Sequence, residues 1–453
     1  MRRQTVTQGA IILVVTGFIT QILSGILNQI VITRFLGEDG VNIYVLILPT
    51  LMLFSTLAST GLPAAVNVLI SRSHLSKKKI LSTAFVMAIF FSLISGIILL
   101  VIARPLAFTF LKDERTYLPL LAMIPLLFCL AFSSVLKAYF QGLQNMATFS
   151  VAVLVEQIVR VIASAYFIGI MLPRGLLYGV IGVIAARIVS ELIAGGILLG
   201  VLMKHVNFKS VAPVLGHFKT INQIAVLATG NQLGIALVGF LEPIIVMQAL
   251  FRIGYPRELS RKLYGAVSGY TMPLLLMPSF ITGGILQAMT PSISQAYARG
   301  DLPRIHHHLN VIIKISFFIG SIYTVLMALF PAEIMNLVFG TATGSEYLSL
   351  MAPFFIFLIL QPTFTAFLQG VGGGKVAMTS TFISSAIKIS LMIALLPILR
   401  LNIEGLVIAI LTHSVIVTVW HYYLLKKRIG YRINIPQILN GLLIFIILAR
   451  CSS

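Results

Sequence analysis

The 453-residue chain is 58% hydrophobic and only 10% charged, so it has too little polar surface to cover a soluble globule. Its mean hydropathy of +1.02 points the same way. The formal net charge of +20 would suit a nucleic-acid partner, but the bases lie in short loops between apolar runs. The composition therefore excludes a soluble protein and predicts an integral membrane protein that binds no nucleic acid.

Apolar runs of membrane-spanning length, about 20 residues each, follow one another along the chain. They predict twelve helices, at 10–33, 43–70, 80–103, 117–140, 147–172, 176–203, 220–248, 263–289, 309–330, 347–370, 376–399 and 403–425. A shorter apolar run at 437–449 leaves open whether it spans the membrane or lies in the interface. The runs are too uniformly apolar for the alternating strands of a barrel, so the predicted fold class is an all-α integral membrane bundle.

The distribution of basic residues predicts the orientation. Sixteen Lys and Arg lie in the N-terminal segment and the even-numbered loops, including the KKK run at 77–79, and ten lie in the odd-numbered loops. Because the number of bases in short loops sets orientation, the N-terminus and even loops are expected in the cytoplasm. We expect a multi-pass protein of the bacterial cell membrane that contacts membrane lipids. The sequence leaves its oligomeric state open.

An internal repeat relates the two halves of the chain. Segments 124–142 and 352–370 share five identical residues in nineteen at a constant offset of 228, and the same offset carries Arg160 onto Lys388. Six helices return each half to the same side of the membrane, so the repeats are parallel. The sequence thus predicts two pseudo-symmetric six-helix lobes around a central cavity. The predicted parts are the lobes 1–203 and 220–427, a cytoplasmic linker 204–219 and a C-terminal apolar segment 428–453.

Charged residues inside the predicted helices are few, and four of them fall at helical spacing. Glu156 and Arg160 are four residues apart on helix 5, and Arg187 and Glu191 are four apart on helix 6. Each pair shares a helix face and is expected to neutralise itself. One interpretation makes the pairs structural staples. The other places them on a polar cavity that binds an anionic headgroup.

Lys137 and Lys314 lie nearer the cytoplasmic ends of their predicted helices, where a long basic side chain can extend to the interface. Two other intramembrane charges lack an opposite charge at this spacing. These are Glu242, whose following Pro243 permits a kink, and Lys388. The predicted substrate-binding residues are therefore Arg34, Arg160, Arg187 and Lys388, and the predicted coupling or tuning acids are Glu242, Glu156 and Glu191.

Motifs for catalysis are not found in the sequence. It contains neither a phosphate-binding G-x-x-x-x-G-K-[ST] loop nor an H-E-x-x-H zinc motif, and no soluble domain large enough for an enzyme site. We expect no catalytic residue, no metal site and no cofactor. Two six-helix lobes around a cavity are the architecture of an alternating-access transporter. The energy for transport would then come from an ion gradient or the membrane potential.

Two stretches resemble a known family. "TRFLGEDGVNIY" at 33–44 is similar to the R-x-L-G-x-x-G signature of polysaccharide-type flippases in the multidrug/oligosaccharidyl-lipid/polysaccharide exporter superfamily. "YGAVSGYTMPLLLMPSFITGGILQAMTPSISQAYARGD" at 264–301 resembles helix 8 of its stage V sporulation protein B branch. The residues of the signature that transfer are Arg34, Leu36, Gly37 and Gly40.

The resemblance covers nearly the whole chain and carries functional expectations. It implies a two-lobed bundle of twelve to fourteen helices that flips lipid-linked glycan intermediates, with a link to spore cortex peptidoglycan. Lipid II flippases of the superfamily carry an Arg-Asp pair in helix 1, where this chain has Asn28 and Gln29. That cationic site is therefore not carried over.

Two functions from different classes follow. The first is an alternating-access flippase that moves an undecaprenyl-linked glycan or peptidoglycan precursor, which the excess of intramembrane bases favours because the headgroup is an anionic pyrophosphate. The alternative is a cation-coupled multidrug exporter in which Glu242 couples transport to the ion. A membrane scaffold is a weaker third possibility, since it needs neither a buried acid nor two lobes. The charge of the substrate discriminates between the first two.

The orientation gives a first testable prediction. Single cysteines at positions 78 and 258 should be labelled from opposite sides of the membrane, because the base count places one loop inside and the other outside. An impermeant maleimide should reach position 258 in intact cells and position 78 only after permeabilisation. Labelling of both positions from outside would reject the orientation.

Overall fold

The structure is a computed structural model that describes residues 6–72, 76–204 and 215–433. These residues are almost entirely helical and contain no strand. Ten of their helical stretches are long and apolar enough to cross a membrane. The all-α membrane fold class is confirmed. The predicted segment at 437–449 and most of the predicted linker 204–219 lie outside the described residues.

Contacts between helices divide the chain into two compact units, Met1–Gly265 and Ala266–Ser453. The lobe boundaries predicted from the repeat, at 203 and 220, stay a prediction. In the first unit the helices are α1 Val6–Gln21, α2 Asn28–Ser59, α3 Leu62–Arg72, α4 Lys77–Pro105, α5 Tyr117–Gly142, α6 Met146–Met171, α7 Leu176–Met203, α8 Leu215–Arg252 and α9 Arg257–Gly265. A π-helical turn, Ile22–Leu27, joins α1 to α2, and another, Leu106–Phe110, continues α4.

The second unit begins with a π-helical turn, Ala266–Thr271. Its helices are α10 Met272–Leu276, α11 Ser279–Ala298, α12 Leu302–Leu329, α13 Pro331–Phe339, α14 Ser345–Met351, α15 Phe355–Gly370, α16 Gly374–Ile393 and α17 Glu404–Ile429. One turn of 3₁₀-helix, Ala352–Phe354, joins α14 to α15, and a π-helical turn, Ala394–Ile398, extends α16.

The predicted helices differ from the observed ones mainly at two places. The first two predicted helices are joined in α2, whose backbone leaves the helical conformation only at Gly37, with φ 70° and ψ 173°. Predicted helix 8, at 263–289, is broken into α9, a π-helical turn, α10 and α11. Pro273 and Pro278 lie in this region, and because proline has no amide hydrogen it interrupts the hydrogen-bond ladder of a helix.

The repeat is visible in the helix positions, because α5, α6 and α7 of the first half correspond to α14 with α15, to α16 and to α17 of the second. Their first residues differ by the same 228 positions in each case: Tyr117 and Ser345, Met146 and Gly374, Leu176 and Glu404. The turns before the second of these helices also match, because Gln144 and Gly372, again 228 apart, both have positive φ, 58° and 74°. The two halves therefore share helix boundaries and turn geometry.

Close packing of α6 and α7 brings the intramembrane charges together. A Cβ atom at Gly182 of α7 would lie only 2.9 Å from the carbonyl oxygen of Phe167 on α6. Helix association in membranes depends on such close van der Waals packing at small residues, because lipid provides no hydrophobic drive between helices. Gly182 therefore allows the two helices to approach closely enough for their polar side chains to meet.

The turn between α2 and α3 gives a second prediction. Gly61 has φ +63°, and a Cβ atom there would lie 2.3 Å from the carbonyl oxygen of Ala225 on α8. Gly61→Ala should destabilise the protein by more than the roughly 1–3 kcal/mol expected for a left-handed non-glycine residue alone. Gly169→Ala, in α6 with no atom within 4 Å of its added Cβ, is the matched control. Thermal unfolding in detergent measures both, and equal stability of the two variants would contradict the packing of α8 on this turn.

Candidate functional site

Four charged side chains from three neighbouring helices meet inside the first unit. The Nζ of Lys137, on α5, lies 2.5 Å from Oε2 of Glu156 and 3.0 Å from Oε2 of Glu191. The Nη2 of Arg160 contacts Oε1 of Glu156 and lies 3.5 Å from Oε1 of Glu191. Each acid therefore pairs with the same two bases. These four residues are here named the ion network.

The position of the ion network explains how the membrane tolerates it. The side chains of both acids are only 4% exposed, so their charges are removed from solvent. Two opposite charges about 4 Å apart attract by about 4 kcal/mol at an effective dielectric constant near 20. Because each carboxylate has two such partners, the network offsets much of the desolvation cost that an isolated buried charge would carry. The Nε of Arg160 also donates to the hydroxyl of Ser190, 3.4 Å away.

Arg187, on α7, does not pair as the sequence predicted. Among the described residues no ion pair joins Arg187 to Glu191. The prediction that these two residues, on the sixth predicted helix and now on α7, neutralise each other is therefore wrong. A spacing of four makes such a pair possible, but Glu191 meets Lys137 of α5 and Arg160 of α6 instead. The Nε of Arg187 is buried and has no hydrogen-bond partner in the described part of the chain.

Arg187 gives this region an excess of positive charge. It lies within electrostatic range of Arg160, both acids of the ion network and the buried Tyr44 of α2. With its side chain included, the region holds three bases and two acids. A buried cation that lacks a full set of acceptors favours the approach of an anion.

An apolar cavity of about 440 Å³ adjoins the ion network within the first unit. Its walls come from α4, α5 and α7. They include Phe128, Phe132, Leu192, Gly195 and Gly196, and Glu191 of the ion network also lines the cavity. A ligand with a charged end and an apolar end would find both environments next to each other here.

The remaining predicted site residues lie elsewhere. Arg34 is an exposed residue of α2, and Lys388 is half-buried on α16 in the second unit. Glu242 lies in α8, which continues as one helix through Pro243, and its carboxylate is 3.5 Å from the hydroxyl of Tyr264. The structure thus brings together four of the seven predicted residues, and the roles of all seven stay predictions. Within the described ranges, no three His, Cys, Asp or Glu are placed to hold a metal ion.

Lys137 is the member of the network that sequence reasoning missed. It lies five residues before the end of α5, and so it was expected to extend toward the cytoplasmic interface as long basic side chains often do. Its ammonium group instead binds two buried carboxylates on the neighbouring helices. The sequence contained one indication of this contact. Two acids lie inside the predicted helices, and if both bind Arg160, a base from another helix is needed to neutralise the second negative charge.

The second unit has no acid at the positions that correspond to this network. At the positions 228 residues after Lys137, Glu156 and Arg160 stand Thr365, Ser384 and Lys388. The fully buried His421 of α17 here joins three helices, with Nδ1 3.0 Å from the hydroxyl of Thr365 and Nε2 2.8 Å from that of Ser380. The base at position 388 is kept, whereas both acids of the first unit lack a counterpart.

Comparison with known proteins identifies the class of this membrane protein. Residues 6–250 match the family described as Polysaccharide biosynthesis protein, and residues 264–393 match the MatE family. Together with the two-unit helical fold, these matches define a transporter of the multidrug/oligosaccharidyl-lipid/polysaccharide exporter superfamily. The chain belongs to the polysaccharide biosynthesis protein family.

Individual relatives agree with this assignment. Stage V sporulation protein B of Bacillus subtilis (strain 168) is 32% identical over 469 residues, which cover 100% of this chain and 90% of that protein. Lipid II flippase MurJ of the same organism is 21% identical, over 94% of this chain and 84% of its own length. An inward-facing multidrug resistance MATE family transporter matches in structure with a TM-score of 0.71, at 17% identity over 93% of this chain and 98% of its own. At that identity the last likeness shows the fold alone.

The ion network gives a third prediction. Exchanging its two α6 residues, Glu156→Arg with Arg160→Glu, should strongly destabilise the protein, because the introduced base faces Lys137 and the introduced acid faces Glu191. Breaking a buried pair typically costs about 3–5 kcal/mol. An isolated pair on one helix would tolerate the same exchange to within a few tenths of a kcal/mol.

The matched control is the exposed pair of Glu258 and Lys262 on α9, which has the same spacing of four. Its exchange should change stability little, because exposed helix pairs contribute about 0.3–0.5 kcal/mol. Thermal stability of the detergent-solubilised proteins measures both exchanges. If the α6 exchange were as stable as the α9 exchange, the network of four residues would not exist.

Proposed function

We propose that this transporter moves an undecaprenyl-linked glycan or peptidoglycan precursor across the cytoplasmic membrane by alternating access. The observation that carries the proposal is the excess positive charge beside the ion network, with a buried Arg187 Nε that has no hydrogen-bond partner among the described residues. A pyrophosphate headgroup supplies several acceptor oxygens and negative charge. An arginine guanidinium binds such groups through strong, charge-assisted hydrogen bonds.

The ion network would tune this binding. Arg160 is shared between Glu156, Glu191 and the hydroxyl of Ser190. An anionic headgroup would compete with the two carboxylates for the bases. This competition would weaken binding of the headgroup, so that the substrate could still be released. Arg187, which has no ion pair among the described residues, would bind the headgroup without competition from a carboxylate. Arg34 and Lys388 stay predicted substrate contacts.

The apolar cavity supports an amphiphilic substrate. It holds about 440 Å³ of space lined by Phe128, Phe132 and Leu192, with Glu191 at its border. A segment of polyprenyl chain would fit such an apolar surface, because burying each CH₂ group contributes about 0.8 kcal/mol. A headgroup at the bases and hydrocarbon in the cavity would then be bound by adjoining parts of one unit.

The source of energy and the orientation are proposals as well. The sequence has no ATP-binding loop, so we propose coupling to an ion gradient or the membrane potential, with Glu242 as the coupling acid. The excess of bases in the even-numbered loops supports a cytoplasmic N-terminus. The 32% identity to a protein named stage V sporulation protein B supports a role in the synthesis of spore cortex peptidoglycan.

Cation-coupled export of amphipathic drugs is the second candidate. It is supported by the match of residues 264–393 to the MatE family and by the acid Glu242 in α8. A cationic drug would have to bind beside a region of excess positive charge. The charge of the transported molecule therefore separates the two functions.

A transport assay in vesicles tests the proposal and gives a fourth prediction. Purified protein in proteoliposomes should translocate a radiolabelled undecaprenyl-pyrophosphate-linked sugar and should not expel a cationic dye. Arg187→Gln should reduce translocation to the background rate, because the substituted side chain has no charge for the pyrophosphate. Lys262→Gln, which removes an exposed base from α9, is the control and should retain the parental rate. Efflux of the dye without translocation of the lipid would instead support the multidrug exporter.

A further inference from the structure

A second group of charged residues lies in the first unit, on the side that the count of basic residues predicts to be extracytoplasmic. It joins the segment from the end of α8 to the end of α9 with residues 37–42 of α2 and with the connection 105–116 between α4 and α5. These contacts are here named the outer seam. None of the contacting residues belongs to the ion network.

Arg261 of α9 is the centre of the outer seam. Its side chain is almost fully buried, 2% exposed, and its Nη1 donates to Oδ2 of Asp113 at 2.7 Å. Its Nη2 lies 3.4 Å from Oδ1 of the half-exposed Asp39. The Nε is buried and has no hydrogen-bond partner among the described residues. A fully buried arginine therefore holds α2 and the connection between α4 and α5 to α9.

Polar contacts make up much of the remainder of the seam. The side-chain amide of Gln248, near the end of α8, donates to the carbonyl oxygens of Thr109 at 2.5 Å and Phe110 at 2.9 Å. The ammonium group of Lys112 lies 5.0 Å from the ring centre of Phe251.

The end of α9 also packs tightly against α2 at Asn42. A Cβ atom at Gly265 would lie 3.2 Å from Cβ of Asn42 and 1.7 Å from its Oδ1. A side chain larger than hydrogen at position 265 would therefore displace Asn42. α9 can approach Asn42 this closely only because residue 265 is a glycine and has no side chain.

The composition of the seam suits a contact that opens and closes. A buried ion pair contributes little net stability, because desolvation of both charges offsets their attraction. When such a pair separates into water, both ions regain their hydration, so opening costs far less than exposing an apolar interface of similar size. A purely structural contact would gain more from apolar residues at these positions.

The chain path gives the seam its importance. Gly265 is the last residue of the first unit, and α9 continues directly into the π-helical turn Ala266–Thr271 that begins the second. As long as Arg261 is bound to Asp113 and Asp39, the segment that leads into the second unit is fixed to the first. We propose that these three residues form a latch on the extracytoplasmic side that must release α9 during each transport cycle. This inference rests on the transporter class and is independent of the substrate.

Thiol labelling tests the latch without a substrate, and this is the fifth prediction. In a variant whose native cysteines are replaced by serine, Ser260→Cys places a thiol on α9 next to Arg261 at a position that is 0% exposed. Asp113→Asn should speed labelling of this thiol by an impermeant maleimide from outside by about tenfold, equivalent to 1.4 kcal/mol of closing free energy. Asp113→Glu, which keeps the charge, should restore slow labelling.

Two controls separate opening of the latch from other effects. Arg115→Gln removes the other base bound to Asp113, 3.1 Å away on the same loop, and should leave labelling slow because this contact does not cross the seam. Ser164→Cys, a buried position in the half of α6 nearer the extracytoplasmic side, should stay unlabelled in the Asp113→Asn variant unless the protein unfolds. Equal labelling rates at position 260 with and without Asp113→Asn would overturn the latch.

A cross-link tests whether opening is required for transport. The pair Asn42→Cys and Gly265→Cys places two Cβ atoms 3.2 Å apart, close to the roughly 3.5–4.5 Å of a disulfide. Oxidation should stop translocation in proteoliposomes and reduction should restore it, whereas each single variant should be indifferent to the oxidant. Undiminished translocation by the oxidised protein would show that the seam never opens and would reject the proposal. If no variant or condition supports translocation of the lipid substrate, the proposed substrate fails while the labelling result still decides the latch.

Discussion

The cost of placing charge inside a membrane is the constraint on which the first unit depends. An isolated charged side chain at the bilayer centre costs at least about 2.5–3.5 kcal/mol. The chain offsets this cost by letting Lys137, on α5, and Arg160, on α6, share the same two carboxylates. Since the network draws on α5, α6 and α7, their mutual positions are fixed by electrostatics as well as by packing. Loss of any one member would leave a buried charge with an incomplete set of partners.

The two halves of the repeat have kept their helices and diverged in charge. The starts of α5, α6 and α7 correspond to those of α14, α16 and α17 at one offset, and so does the left-handed turn at Gln144 and Gly372. The carboxylates of the first half have no equivalent in the second, where His421 binds two hydroxyl groups. Helix boundaries depend on backbone and turn residues, whereas the polar cluster depends on a few side chains. The side chains can therefore change without loss of the shared architecture.

Much of the fold was predictable because the membrane imposes simple rules on the sequence. The need to satisfy backbone hydrogen bonds within each helix, and the thickness of the hydrocarbon layer, made long apolar runs a reliable signal. Where prediction failed, backbone irregularities were the cause. The division of predicted helix 8 into four pieces leaves hydropathy unchanged while the hydrogen-bond ladder is interrupted. Hydropathy measures transfer into lipid and is insensitive to such changes.

The candidate site divides in the same way between sequence and tertiary structure. The sequence by itself determined the membrane class, the repeat and the pairing of Glu156 with Arg160, because two residues four apart on one helix share a face whatever surrounds them. It did not determine that Glu191 pairs with Lys137 and Arg160, nor that Arg187 forms no ion pair among the described residues. Contacts between helices depend on how each helix is rotated and how closely it packs, and the spacing within a single helix contains no information about either. Only the tertiary structure decided which charges meet.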